Sequence, residues 1–361
     1  MKKQFSIAVL PGDGIGREVM HACLEVLAAI QKISSGPELL FNSYPAGAQL
    51  YMETGESLPS STLEACVRAD AILFGAMGWP GVYYKDGTEI SPQLDLRMAL
   101  DLYAGVRPIR WFPGLPSVLS DDRAKKIDFV LIREQTEGLF YARGRGNVIA
   151  DQESFDTMKI PRHGTARVTN FAFRLAEQRR ASRGASRVTC VDKANVFTSM
   201  AFFRKIFYEC SQNFPSIEKE HAYVDAMALN MVKKPWTLDV LVTENMFGDI
   251  LSDLGAGLIG GMGMAPSGDI GDNHALFQPS HGTAPDIAGK GIANPCAMIL
   301  SAAMMLDWLA VRHEDPQLAL KARLIESAVA DSLIKGTIPM ELGGKANCEE
   351  MTLEIIKSLS K

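Results

Sequence analysis

The chain is 361 residues long, 47% hydrophobic and 22% charged, an ordinary globular balance that excludes a long disordered or low-complexity tract. That length predicts two domains or one large lobed α/β unit. A formal net charge of -5 argues against a nucleic-acid partner, which requires a basic face. The six cysteines form no CxxC pair, so they suggest neither a zinc site nor a disulfide framework and fit reduced thiols in the cytoplasm.

After two lysines, the first apolar run is too short for a secretory core. The longest apolar stretch, Ala297 to Leu306, falls well short of the roughly 20 residues that span a bilayer. A cytoplasmic chain without a membrane partner is the expectation, with that stretch as a buried helix.

In chain order, Phe5 to Leu10 predicts a strand, PGDGIG a glycine turn, and Arg17 to Ile30 a helix with Val19, Cys23, Val26, Leu27 and Ile30 at helical spacing. Strand-like runs follow at Ala71 to Phe74, Phe129 to Ile132, Val188 to Val191, His221 to Val224 and Val240 to Thr243, most of them separated by helical stretches. Such alternation predicts an α/β fold with a substantial parallel sheet. The segment Gly138 to Val168 is polar, rich in Arg and Gly and broken by Pro161, which suggests an extended arm. The glycine-dense passage Gly255 to Gly271 reads as a hinge or crossing point, so that one domain would be built from both chain ends and the other from the middle.

Several residues carry chemistry. Gly12, Gly14 and Gly16 give GxGxG instead of GxGxxG, and Leu39 to Tyr44 lacks the acid expected about 20 positions on, so PGDGIG is either a phosphate cradle or a plain tight turn. Asp249 and Asp253 share one helical face, where their charges repel unless a cation intervenes. Two hard oxygen ligands suit Mg²⁺ or Mn²⁺, with Asp225 as a candidate third; interaction with a helix macrodipole is the alternative. Arg97, Arg107 and Arg133 each adjoin an apolar strand or helix, and if they converge they form a trap for carboxylates. Lys193, immediately after a strand-like run, is either a solvated strand-end lysine or an amine placed for proton transfer.

Taken together, LPGDGIG, the RPxxxxPG of Arg107 to Gly114, VDKANV, YVDAMA, FGDILSDL and HGTAPDIAGKGIANP resemble the β-decarboxylating dehydrogenases over almost the whole chain. That family acts on isopropylmalate, isocitrate, homoisocitrate and tartrate or D-malate. The resemblance implies an α/β fold of the isopropylmalate/isocitrate dehydrogenase-like type, an open mixed sheet in two domains with the active site between them. Residues 1–102 and 260–361 would form the domain carrying the adenosine-binding loop, and residues 103–259 the central domain with the dimer interface and arm.

It further implies a homodimer with shared sites and a small hydroxydicarboxylate as substrate. Arg97, Arg107 and Arg133 would hold the malate carboxylates; Asp249, Asp253 and the partner subunit's Asp225 would hold Mg²⁺ or Mn²⁺. The partner subunit's Lys193 would take the proton of the C2 hydroxyl, with Asn195 beside the nicotinamide. Hydride transfer from C2 leaves a carboxylate β to a ketone, and loss of CO₂ gives an enolate that the metal and arginines stabilise. In the adenosine loop, His281, Gly282, Ala284, Asp286, Ile287 and Asn294 would meet the cofactor. A carboxylate at Asp286 accepts from a ribose 2′-hydroxyl and repels a 2′-phosphate, which predicts NAD over NADP.

Two departures stand out. Phe140 occupies the place of a family tyrosine that assists enol protonation; Tyr141 follows directly, but alternation along a strand would turn it to the opposite side. The segment Ile90-Ser91-Pro92-Gln93-Leu94 only partly matches a leucine-rich pocket: Leu94 and Val196 fit an alkyl group, whereas the Gln93 amide suits a hydroxyl or carboxylate on C3. The first reading is NAD-dependent conversion of 3-isopropylmalate to 2-oxo-4-methylpentanoate, and the second is a tartrate or D-malate dehydrogenase. Readings of other kinds are a regulatory subunit that binds without turnover, and a Rossmann-type oxidoreductase resting on PGDGIG alone.

Overall fold

Short apolar runs and longer amphipathic stretches alternate along the chain and form strands and helices in that order. The computed structural model describes residues 2–184 and 186–359; the outermost limits of the expected terminal domain, Met1 and Lys361, lie outside the described residues. The strands are β1 (Gln4–Leu10), β2 (Glu38–Ser43), β3 (Ala71–Phe74), β4 (Ala104–Arg110), β5 (Asp128–Glu134), β6 (Asn147–Ile149), β7 (Glu153–Phe155), β8 (Arg187–Asp192), β9 (Glu218–Tyr223), β10 (Val240–Thr243), β11 (Pro266–Ile270) and β12 (Ala275–Pro279). The helices are α1 (Ile15–Ile33), α2 (Ala48–Thr54), α3 (Ser60–Arg68), α4 (Pro92–Ala99), α5 (Arg162–Arg183), α6 (Thr198–Ser211), α7 (Val224–Lys233), α8 (Asn245–Leu258), α9 (Cys296–His313), α10 (Pro316–Ile334) and α11 (Cys348–Leu359).

The chain divides into two compact units, one of Met1–Leu100, Phe112–Pro116 and Ile259–Lys361, the other of Asp101–Trp111 and Ser117–Leu258. In the first, the strand order is β2-β1-β3-β12-β11, parallel except for the β11/β12 pair. All four residues of β3, Ala-Ile-Leu-Phe, are buried, as a strand with neighbours on both edges and layers on both faces requires. Helix α9 packs on β11 and β12 and on α1 and α10. By length and composition α9 is apolar enough to cross a membrane, yet Met298, Ile299, Met305, Leu306 and Leu309 are fully enclosed here. Each such side chain contributes about 1.5–3 kcal/mol of burial free energy, so α9 is the core helix of this unit.

In the second unit the order is β4-β5-β10-β8-β9, with only β4/β5 antiparallel. Phe173 on α5 stacks on Phe207 of α6 and on Phe214, with ring centres 5.3 and 5.1 Å apart, which fastens these helices together over the sheet.

Three sequence expectations need amendment. The arm is a hairpin of β6 and β7, all of whose strand residues are exposed, and it ends at Pro161, because α5 begins at Arg162. The passage Gly255 to Gly271 is not one open hinge: α8 runs through Gly255 and Gly257 to Leu258, and β11 occupies its second half. The run His221 to Val224 lies at the end of β9, whose first residues, Glu-Lys-Glu, carry no apolar pattern; Val224 already opens α7.

Candidate functional site

In the second unit the site is built on the start of α8. Buried Glu244 accepts from the amides of Met246 and Phe247 and so caps the helix. The turn that follows presents Asn245, Gly248 and Asp249 to Arg133 at the end of β5. Arg133 is 4% exposed; its Nε and Nη2 donate to Asn245 Oδ1 at 3.0 and 2.7 Å, and its Nη1 donates to Asp249. A Cβ on Gly248 would lie 2.6 Å from Arg133 Cγ, so only glycine lets the arginine stem cross the helix here.

Asp253 lies one turn beyond Asp249. Burial and the Asp249 charge push its carboxyl above the ordinary range, against the lowering pull of Arg107 and Arg133. Arg107, on β4, is itself buried. The arrangement therefore holds two carboxylates that repel one another beside two buried guanidinium groups, a donor set that fits a divalent oxygen-ligated cation with an anionic ligand alongside. Among the described residues no three His, Cys, Asp or Glu side chains gather closely enough to hold a metal ion, so Asp225 does not complete the set within one chain.

Asp225 instead meets Lys193, whose Nζ lies 2.8 Å from its Oδ1. This bond from Lys193 draws the exposed Asp225 carboxyl below the ordinary range. Lys193 stands on a turn fixed from beneath: fully buried Asp192 accepts from Arg204 Nε and Nη2 at 2.7 and 2.6 Å and from the Ala194 amide at 2.8 Å. Asn195 and Val196 lie exposed on the same turn.

Phe140, with its ring centre 5.1 Å from the Arg133 guanidinium, is the aromatic residue at that arginine. The segment Leu139–Ala142 is a 3-10 turn and not a strand, so strand alternation does not govern where Tyr141 points. Its ring carries the Arg145 and Lys159 cations at 4.2 and 4.5 Å.

In the first unit, α4 brings Gln93 and Arg97 onto one face, four residues apart, with Leu94 beside them. Arg97 Nε donates to Asp269 Oδ2 at 2.8 Å, and Gln278 donates to the same oxygen. Gln93 Oε1 is buried without a hydrogen-bond partner.

The glycines of PGDGIG are occupied by packing within this unit. A Cβ on Gly14 would lie 2.3 Å from the Thr283 carbonyl oxygen, and the Ile15 amide donates to that same oxygen. Asp13 accepts from the amides of Ala48, Gln49 and Gly78. PGDGIG is thus a tight turn pressed against the loop that starts at His281, and the phosphate-cradle reading is set aside.

In that loop His281 Nδ1 lies 2.9 Å from the Gly282 carbonyl, and burial lowers the imidazole pKa. His281 Nε2 is buried and unpartnered. Ala284 adopts a left-handed φ of 39°, and Gly282 and Asp286 are exposed while Ile287 is half-buried. Asn294 is buried and engaged with Glu341 and the Cys296 amide. An orphaned imidazole nitrogen and an exposed carboxylate on the same loop fit the adenosine end of a dinucleotide.

Sequence reasoning missed Asn245 and Gly248, which bond and make room for Arg133, Asp269, which accepts from Arg97, and Asp192, which anchors the turn of Lys193 and is itself held by Arg204. The signal available was the polar Asn245 one helical turn before Asp249.

The isocitrate/isopropylmalate dehydrogenase family model matches residues 6–355. A 3-isopropylmalate/3-methylmalate dehydrogenase of Methanocaldococcus jannaschii is 41% identical over 352 residues, covering 97% of this chain and 98% of that protein. A 3-isopropylmalate dehydrogenase of Aquifex aeolicus is 39% identical, covering 99% and 98%. The crystal structure of isocitrate dehydrogenase from Methylococcus capsulatus superimposes with a TM-score of 0.87 at 35% identity, over 99% of this chain and 100% of that one. With matches of this length on every count, the chain belongs to the isocitrate/isopropylmalate dehydrogenase family.

Proposed function

We propose that this protein oxidises and decarboxylates 3-isopropylmalate to 2-oxo-4-methylpentanoate, with NAD as hydride acceptor and Mg²⁺ or Mn²⁺ bound at Asp249 and Asp253. The observation that carries the reading is the placement of those two mutually repelling aspartates beside Arg107 and Arg133. When bound, the metal supplies Lewis-acid polarisation of the hydroxyl and the dinucleotide supplies the oxidant.

The residues of the chain do the rest. Arg97, Arg107 and Arg133 bind the substrate carboxylates through their guanidinium forks. Lys193 accepts the proton of the C2 hydroxyl as hydride leaves that carbon. The ketone so formed lies β to the 3-carboxylate; the C–C bond breaks, CO₂ departs, and the electron pair passes to the enolate, whose charge the arginines share. Tyr141 protonates the enol. Leu94 and Val196 receive the isopropyl group, Asn195 lies at the nicotinamide, and His281, Gly282, Ala284, Asp286, Ile287 and Asn294 bind the adenosine half.

The active form is a homodimer in which Lys193 and Asp225 act in the partner's site. Support comes from the exposed apolar residues Leu229 and Val232 on α7 and Ile250 on α8, together with Val148, Ile149 and Phe155 on the arm, faces that a second copy would cover. The terminal-halves unit carries the adenosine loop and the central unit the dimer contacts.

The test is a substrate panel with NAD and Mn²⁺, in which 3-isopropylmalate yields equal amounts of NADH and 2-oxo-4-methylpentanoate. The unpartnered Gln93 Oε1 favours a second reading, a substrate with a hydroxyl on C3 such as tartrate. Higher kcat/KM for tartrate or D-malate would decide for it, and no NADH with any of them would overturn both.

A further inference from the structure

Asn245 reacts with nothing, yet its side chain is completely enclosed and every polar atom it carries is engaged by the arginine or the chain beside it. Its Oδ1 spans the Nε and Nη2 edge of Arg133 at 3.0 and 2.7 Å. One acceptor shared by two donors of a rigid fork fixes the rotation of the guanidinium plane. Its Nδ2 donates to the Glu137 carbonyl at 3.2 Å, which sets the orientation of the amide. Gly248 gives the arginine stem its path, and Phe140 lies against the guanidinium. The one remaining terminal nitrogen, Nη1, is turned toward Asp249.

The chemical choice of an amide matters as much as its position. A carboxylate at residue 245 would hold the fork equally well but would set a second negative charge against Arg133, which already meets Asp249, and so would oppose an anionic ligand. A neutral acceptor fixes direction and adds no further negative charge. We infer that Asn245 is a positioning residue for substrate binding: it fixes the direction of the Arg133 guanidinium toward a substrate carboxylate without adding a second negative charge to the one Asp249 already sets against it. This rests on the carboxylate role proposed above for Arg133.

The experiment compares the whole protein with Asn245→Ala and Asn245→Asp, following steady-state kinetics and the exchange of the Arg133 Nε proton by NMR, with the signal assigned from Arg133→Lys. The wild-type proton is expected to exchange slowly. Asn245→Ala is expected to make it exchange fast and to raise KM for the hydroxydiacid about tenfold or more, with kcat and KM for NAD nearly unchanged, the signature of lost ground-state and transition-state binding alike. Asn245→Asp is expected to keep exchange slow and still raise KM, because direction survives while a second carboxylate at Arg133 repels the anionic substrate.

A loss of stability alone would not split KM from kcat or separate the substrate from NAD. Unchanged KM in either variant, or unchanged exchange in Asn245→Ala, overturns the inference. If Asn245→Ala does not fold, Asn245→Asp still decides: a KM equal to wild type refutes it. If the wild type turns over no malate homologue, the proposed function fails, while the exchange comparison still decides whether Asn245 holds Arg133.

Discussion

Arg133 lies 5.1 Å from the ring centre of Phe140, and the neighbouring Tyr141 is occupied with Arg145 and Lys159. The phenol nearest in sequence is therefore one position removed from the aromatic ring at the arginine. Tyr141→Phe should lower keto acid release about 10²-fold if the phenol is the proton donor, with KM unchanged. Unaltered release assigns the proton to water. Phe140→Tyr, which puts a hydroxyl beside Arg133, should raise keto acid formed per NADH in the Tyr141→Phe background.

Asp286 is exposed on the loop that follows His281, where its negative charge would meet a 2′-phosphate. The wild type should favour NAD over NADP in kcat/KM. Asp286→Lys should shift that ratio toward NADP by about tenfold or more. A wild type that prefers NADP would contradict the assignment.

Asp249 and Asp253 repel across one helical turn, and Asp253 is exposed. Without metal, Asp253→Asn should melt higher than the wild type. With Mn²⁺ at about 100 times its Kd, the wild type should gain about 2.7 kcal/mol and the variant much less. Calorimetry with and without chelator measures both, and a variant stabilised by Mn²⁺ as strongly as the wild type would remove Asp253 from the metal site.

Burial, with the charge of Glu134 adding to it, raises the Glu137 carboxyl from 4.5 to about 7. The folded chain thus binds this proton more tightly than the unfolded one. Its contribution to stability is complete below the unfolded value and is lost as pH rises through the folded one, near 7. Glu137→Gln should give a shallower fall of Tm between about pH 5 and pH 8. A slope as steep as that of the wild type would show that Glu137 ionises normally.

The sequence was most legible where a side chain's environment follows from its neighbours in the chain. Ala71 to Phe74 and Val240 to Thr243 coincide with β3 and β10, because strands covered on both faces are uniformly apolar. The edge strand β9, with Glu-Lys-Glu at its start, has no such pattern and was only half found. Asp249 and Asp253 could be placed together from helical spacing alone. The partners of Arg97 and Arg133 could not, since Asp269 and Asn245 are 172 and 112 residues distant in sequence, and nothing local marks a residue that a distant arginine will need.

Strand β12 pairs with β3 although some two hundred residues of chain lie between them, and α9, the helix that fills the core of the terminal unit, follows later still. During synthesis the first hundred residues must therefore wait, with β3 lacking a neighbour along one edge, while the pairings among β4, β5, β8, β9 and β10 are already complete. The ribosome would release the middle of this protein folded before its beginning, and a chain cut short before residue 275 would expose that waiting edge to other strands and aggregate.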